Sequence, residues 1–338
     1  MRHLQEIERK DSNSENVRTS RRPFTTRTPI SSVGVDCFGP WTVVTRRTRG
    51  GVANNKRWTV LLTRMSSRAI HIEVIEELSA SSFINALRRF VSIRGKVQIF
   101  RSDRGTNFVG STESLGINVE SAPVKDFLLS NGTSWIFNPP HFSHMGGVWE
   151  RMIGVVRRIL DSLLLNVSTN NLTHEVLTTF LAETCAIVNS RPLVSVSSDP
   201  EQPFILSPAM LLTQKGDNGM SSLGDFDVGN IYKAQWQRVQ ALANAFWKRW
   251  TSEYLKTLQN RRKWREVKRD IARGDVVLLR DSNFNRNNWP IGIVTNVVVS
   301  DDGHVRKADV TIFRDGRHVT YSRPITEMIV LLEDAVAV

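Results

Sequence analysis

The order of local patterns predicts a mixed α/β sheet with flanking helices, then a long helix, then a small all-β unit. Three observations carry that prediction. Strand-like apolar runs alternate with helical spacing between residues 31 and 195; aromatic residues recur at near-heptad steps over 232–254; and short strand patterns crowd the last 60 or so residues. The chain has 338 residues, which at ~150 per domain suggests about two domains.

Residues 1–30 are polar and rich in Ser and Thr, and their lack of apolar periodicity predicts an extended or disordered lead-in. Residues 31–195 form the predicted core. It starts with Val33–Phe38, a buried strand carrying one acid and closed by Gly39-Pro40. Arg57–Thr63 and Ala69–Ile75 are further strands, with Ser66-Ser67 as the turn between them. Ser79 caps a helix to about Ile93, because its side-chain oxygen accepts from an orphaned first-turn N–H. Phe83, Ala86, Leu87 and Phe90 share one face of it, and Gly95 ends it. Val97–Phe100 is a fourth strand running into Ser102-Asp103. Residues 110–123 are irregular, a short helix falls near Val124–Leu129, and Trp135–Phe137 is a fifth strand stopped by Pro139-Pro140. Long helices over Val148–Leu165 and Thr173–Asn189 follow.

Residues 196–270 read as a loop and a basic helical linker. Tyr232, Trp236, Val239, Ala243, Phe246, Trp250 and Tyr254 make a stripe there, which either packs within the molecule or forms a dimer seam. Residues 271–338 hold five short strands, near 275–280, 291–299, 307–313, 317–322 and 328–332. Asp301-Asp-Gly303 and Asp315-Gly316 are hairpin turns, and the pattern suggests an SH3-like barrel.

Composition narrows the function classes. Hydrophobic residues make up 40% and charged residues 23%, the balance of an ordinary globular chain. No apolar run approaches the ~20 residues of a membrane span, and the N-terminus lacks the apolar stretch of a secretory signal. Cys37 and Cys185 are too few for a disulfide framework or a Cys-rich zinc site, which fits a reducing compartment. The net charge of +12 is concentrated: residues 231–280 carry 13 basic and 4 acidic side chains, whereas residues 31–230 carry 19 and 17. A near-neutral body with a basic segment suits a polyanionic partner, and a solvated helix surface is the plain alternative.

Asp36, Asp103 and Glu150 stand out by context. Asp36 lies inside an apolar strand, Asp103 ends another, and Glu150 opens a helix after Gly146-Gly147. An unpaired buried carboxylate costs several kcal/mol, so a strand carrying one needs a compensating cation. If the first and fourth strands are neighbours, Asp36 and Asp103 project to one spot, where a helix starting at Glu150 delivers a third oxygen. Such donors suit Mg²⁺ or Mn²⁺ and not zinc. Two such ions about 3.5–4 Å apart activate one oxygen and stabilise another in phosphoryl displacement. Taken singly, Asp103 also reads as a turn former and Glu150 as a residue favouring the helix dipole.

The segments Val35–Pro40, Arg101–Gly110 and Asn138–Arg151 resemble the blocks of a retroelement integrase core, most closely the BEL/Pao class of long-terminal-repeat retrotransposons. The resemblance continues through Asn189-Ser-Arg-Pro-Leu193, Leu206–Leu212, Phe246–Leu255 and Asn288-Trp-Pro-Ile-Gly292, covering roughly residues 22–333. It implies an RNase H-like fold with Asp36, Asp103 and Glu150 as the catalytic, metal-holding triad. It also implies two Mg²⁺ or Mn²⁺ ions, duplex DNA as substrate, a homo-oligomer, action in the nucleus and no membrane partner. The reaction implied is 3′-end processing followed by strand transfer. Asn107, His144 and Arg151 are candidate supporting residues for metal or phosphate. His71 and Glu73 alternate on one strand and read more simply as a strand pair.

The sequence departs from that pattern in places. Arg104 stands where many integrases have Asn after the second Asp, and 46 residues separate Asp103 from Glu150. The His₂Cys₂ zinc module that precedes such cores is missing upstream, so no zinc is expected. Arg261, Arg262, Lys263, Arg265, Lys268 and Arg269 surround Trp264 and are the candidate DNA contacts, with affinity falling steeply with salt. Two other readings stay open: a DNA-binding or scaffold protein that has lost catalysis or been co-opted by a host, and a nuclease that only hydrolyses.

Overall fold

The computed structural model describes residues 30–48, 51–103, 117–137, 143–165, 172–195, 205–214, 234–258, 269–280, 286–314 and 317–333. Strands β1 (Ile30–Thr48), β2 (Gly51–Arg64) and β3 (Ile70–Ile75) form an antiparallel meander. Helix α1 (Ala80–Arg94) is capped by the Ser79 side chain, which accepts from Ser82 N–H, and closed by Gly95 at φ +93°. It returns the chain to β4 (Val97–Ser102), parallel to β1. Helix α2 (Ala122–Ser130) then leads to β5 (Ser134–Phe137), parallel to β4. The sheet order is β3-β2-β1-β4-β5, the RNase H-like arrangement, with β1 at its centre.

Both faces of that sheet are covered, as period-2 alternation along β1 requires. Val33, Val35 and Cys37 lie under α1 and α2, against Phe83, Leu87, Phe90 and Val124. Phe38, Trp41 and Val43 lie on the other face, under α3 (Ser143–Leu165) and α4 (His174–Asn189). Strand β1 does not stop at Gly39-Pro40 as the sequence suggests. It passes through a register shift between Phe38 and Trp41 and continues to Thr48. Gly39 sits at the shift with φ +122°, where a Cβ would meet Arg57 O at 3.1 Å. Helix α3 likewise starts earlier than expected, at Ser143, so Glu150 lies about two turns inside it and does not open it. The glycine pair costs about 1 kcal/mol per residue in helix propensity, which the long amphipathic helix absorbs.

The Asn189–Leu193 motif has a structural role. Asn189 accepts from Ile70 N–H and donates to Ile70 O, both at 2.8 Å. Arg191 donates to Arg68 O at 2.7 Å and Val188 O at 2.9 Å. Together they fasten the β2–β3 turn, where Arg68 takes φ +54°, to the end of α4. In the stretch expected to be loop, β6 (Val194–Ser195) pairs with β7 (Ile205–Leu206), and α5 (Pro208–Thr213) follows. Ser207 caps α5 with Pro208 at its first position, a start signal legible in the sequence.

The expected linker helix is part of the core. In α6 (Gln235–Leu258), Val239, Ala243, Phe246 and Trp250 are buried against Phe180 of α4 and the apolar face of α3. From Val239 to Tyr254 the stripe is therefore intramolecular, whereas Trp236 is exposed and Tyr232 lies outside the described residues. Beyond it, β8 (Val276–Leu279), β9 (Ile291–Val299), β10 (Val305–Arg314), β11 (Arg317–Pro324) and β12 (Met328–Leu332) form an antiparallel sheet in the order β11-β10-β9-β8-β12. This is the small β unit expected from the strand pattern. Gly292 is required where β9 and β10 meet, since a Cβ there would lie 2.5 Å from Thr311 O.

The segment entering β9 docks this unit on the helices. Trp289 packs edge-on to Trp247 at 5.0 Å and donates to Ser190 Oγ at 3.3 Å. Arg286, buried, pairs with Glu183 of α4 at 2.8 Å and donates to Gln240 of α6 at 2.8 Å. Gln240 donates back to Glu183 at 2.7 Å, closing the network. Replacing Phe246 with Ala should therefore lower unfolding free energy by about 3–5 kcal/mol, the cost of a large cavity in a shared core. Urea denaturation checks this; a loss under about 1 kcal/mol would mean that α6 is a spacer.

Candidate active site

Asp36 lies at the centre of the sheet, in the central strand. Its neighbours Val35 and Cys37 point to the α1 face, so its carboxyl points to the α3 face together with Phe38. The parallel register pairs Gly34 with Arg101, and the same offset sets Asp36 opposite Asp103, the residue that follows β4. Neighbouring strands are about 4.8 Å apart. Asp103 is exposed at the sheet edge and Asp36 is half-buried beside it. The two carboxyls feel each other electrostatically.

Burial is the dominant influence on Asp36 and pushes its pKa from 3.8 up to about 6. The Arg157 guanidinium and a hydrogen bond from Cys37 N–H (2.8 Å) pull it down, and the nearby Asp103 pushes it up. At neutral pH the strand thus holds an ionised carboxylate whose surroundings fall short of replacing water. Arg157 comes from α3 and lies 5.6 Å over the Phe38 ring. One turn on, Asp161 accepts from Trp41 Nε1 at 3.2 Å, fixing α3 along β1. The sequence alone does not mark Arg157. Its seven-residue spacing from Glu150, which puts both on one helical stripe, was the available signal.

The remaining expected residues fall in several places. Glu150, His144 and Arg151 lie in the N-terminal part of α3. Asn107, Arg261, Arg262, Lys263, Trp264, Arg265 and Lys268 lie outside the described residues. Arg269 is described, and its guanidinium pairs with the buried Asp275 at 2.6 Å, a contact that serves the β unit itself. His71 bonds Glu73 at 2.8 Å, and Arg89 of α1 donates to Glu73 at 2.6 Å, so this trio ties β3 to α1. It lies two strands from β1. Burial pushes the thiols of Cys37 and Cys185 up to about 12, leaving both protonated and poor as ligands or nucleophiles. Among the described residues no group of three or more His, Cys, Asp or Glu gathers. The donor set that Asp36 and Asp103 provide is made of hard oxygens, which suits Mg²⁺ or Mn²⁺. No helix among the described residues is long and apolar enough to cross a membrane.

A family of unknown function, DUF5641, matches residues 234–331, which is α6 together with the β unit. No curated protein matches. Among solved structures, the simian T-cell lymphotropic virus intasome, in complex with PP2A regulatory subunit B56 gamma, aligns at 10% identity and TM-score 0.34, over 90% of this chain and 79% of that one. The catalytic core domain of BIV integrase aligns at 13% identity and TM-score 0.36, over 54% of this chain and 93% of that one. The HTLV-2 integrase catalytic core, in complex with magnesium, aligns at 14% identity and TM-score 0.34, over 54% and 97%. The fold assignment rests on strand order and register.

The raised pKa of Asp36 has a signed consequence. In the unfolded chain it ionises near 3.8, and in the fold only near 6. Between those values the native state holds the extra proton, so stability falls as pH rises and is flat above. Asp36→Asn removes this loss. In metal-free buffer the variant should match the parent near pH 4 and exceed it above pH 7, by an amount approaching about 3 kcal/mol. Urea denaturation at both pH values checks it; a variant less stable at pH 7 would contradict it.

Proposed function

We propose that the chain is an integrase-type polynucleotidyl transferase acting on duplex DNA, of the kind encoded by BEL/Pao retrotransposons. The observation that carries this reading is the desolvated Asp36 carboxyl, set by parallel register beside Asp103 on the face that α3 covers. Glu150 supplies the third oxygen. It lies one heptad before Arg157, and the Arg157–Phe38 and Asp161–Trp41 contacts run α3 back along β1 toward Asp36.

In this reading Asp36, Asp103 and Glu150 hold divalent ions. When bound, Mg²⁺ or Mn²⁺ activates the attacking oxygen and stabilises the leaving one in phosphodiester displacement. The chain's own groups set up that chemistry. The central strand withholds water from Asp36, Cys37 N–H orients its carboxylate, and Arg157 offsets part of its charge while leaving the strand edge open. Asp103, exposed at that edge, stands where a phosphate backbone approaches. No thiol is available as an alternative nucleophile, since both cysteines are held protonated. Multimers that bring DNA ends together, action in the nucleus, and phosphate contacts by the basic run at 261–269 complete the proposal.

A labelled duplex end incubated with Mg²⁺ and target DNA tests it. The parent chain should yield joined product, and Asp103→Asn should lose it by about 10³-fold or more, the equivalent of several kcal/mol of lost charge stabilisation. Cleavage without joining would support a hydrolytic nuclease. Binding with no metal-dependent chemistry would support a non-enzymatic scaffold.

A further inference from the structure

The β1–β2 hairpin outlasts the sheet that it belongs to. β4 pairs with β1 only over Ile30–Gly34, and β3 pairs with β2 only over Trp58–Thr63. The β1–β2 pairing nevertheless continues from Trp41↔Arg57 to Thr48↔Gly51. Trp41 and Val43 are still buried under α3 and α4, so the part that projects lies past Val44, a two-stranded ribbon with a β1 strand of roughly 13 Å at ~3.3 Å per residue. Its root is fixed: Val44 N–H donates to Leu172 O at 2.8 Å, and Val44 forms a parallel bridge with Thr173.

The ribbon's chemistry is one-sided. Residues 41–57, the ribbon itself, contain five Lys and Arg and no Asp or Glu, while Glu76 and Glu77 flank its root beside Lys56 and Arg57. Arg46 and Arg47 pair in register with Ala53 and Val52, beyond the Val44 anchor, and Lys56 is exposed with Asn54 and Asn55. Arg57 is already engaged at the root, pairing with Glu76 at 3.1 Å and donating to His174 Nδ1 at 3.2 Å, so it is not counted in the arm. Direction matters as much as charge. β1 and β4 are parallel, so the ribbon leaves the sheet at the edge where β4 ends and Asp103 stands. A polyanion lying across that edge runs onto the ribbon. A two-stranded ribbon also has the dimensions to enter the major groove of B-DNA.

We propose that the outer β1–β2 hairpin is a DNA arm that lies along the phosphate backbone of duplex bound at the Asp36–Asp103 edge, with Arg46 and Arg47 as the basic positions of its outer part, Lys56 opposite Thr42 as the basic position at its root, and no base preference. This rests on the transferase reading above, but its test separates from it. Anisotropy of a fluorescein-labelled, mixed-sequence duplex is read with the full chain across a salt series. Arg46→Ala/Arg47→Ala/Lys56→Ala should raise Kd about tenfold or more and flatten the log Kd against log salt slope by about 2–3, near 0.9 per lost phosphate contact. Arg46→Lys/Arg47→Lys, which keeps the charge, should bind as the parent does and serves as the folding control. Unchanged Kd and slope in the triple alanine variant would overturn the proposal, as would equal loss in the lysine variant. Polyglutamate competing as well as duplex at equal charge would assign the arm to acidic proteins and overturn it too. Asp103→Asn should give no joined product while the dependence of binding on Arg46, Arg47 and Lys56 remains. A parent chain that binds through the ribbon but never joins DNA would sink the transferase reading and leave the arm standing.

Discussion

A carboxyl group placed in the middle of a central β-strand is the constraint on which the rest of this structure turns. Asp36 has apolar neighbours on its own strand, a sheet strand on each side and a helix above it. Ionising it there is unfavourable, and the Arg157 guanidinium, the nearby cation among the described residues, offsets only part of the cost. Asp103 at the parallel register position makes matters worse, since a second negative charge raises the first. A protein optimised for stability alone would put an apolar residue at Asp36. Keeping two acids side by side fits a task that brings positive charge to them, and hard divalent cations match oxygen donors of this type.

Other parts of the fold hold that arrangement in place. The α3 helix is pinned along β1 by Asp161 on Trp41 and by Arg157 over Phe38. α6 then packs on α3 and α4, and the Glu183–Gln240–Arg286 network with Trp289 couples the β unit to those helices. The match of DUF5641 to residues 234–331 treats α6 and the β unit as one stretch of sequence. In the fold that stretch forms the outer wall of the core. Buried ion pairs of this kind contribute little net stability against apolar packing but are costly to break singly, so they fix one docking geometry.

Most of the first sheet is legible in the sequence because its elements have strong local signals. Ser79 and Gly95 bracket α1, Thr173 caps α4, and the alternation along β3 is plain. The misreadings share a physical cause, which is tertiary structure overriding local punctuation. Gly39-Pro40 looks like a stop, yet β2 keeps pairing beyond it, so β1 runs on. Gly146-Gly147 looks like a boundary, yet α3 passes through it. The α6 stripe suits a dimer seam as well as a core, and only the presence of Phe180 and the α3 face decides. Within the site, Asp36 and Asp103 are visible as acids in apolar surroundings. Arg157 is hidden among the other arginines of α3, because its role comes from lying over Phe38.

The most direct test of the account is a Mn²⁺ titration of the full chain, with free ion read by electron paramagnetic resonance. The account predicts two bound ions in the parent and affinity weakened by at least about tenfold in each of Asp36→Asn, Asp103→Asn and Glu150→Gln, with circular dichroism unchanged. Binding that is the same in all four proteins would show that these acids do not share a metal, and the account would be wrong.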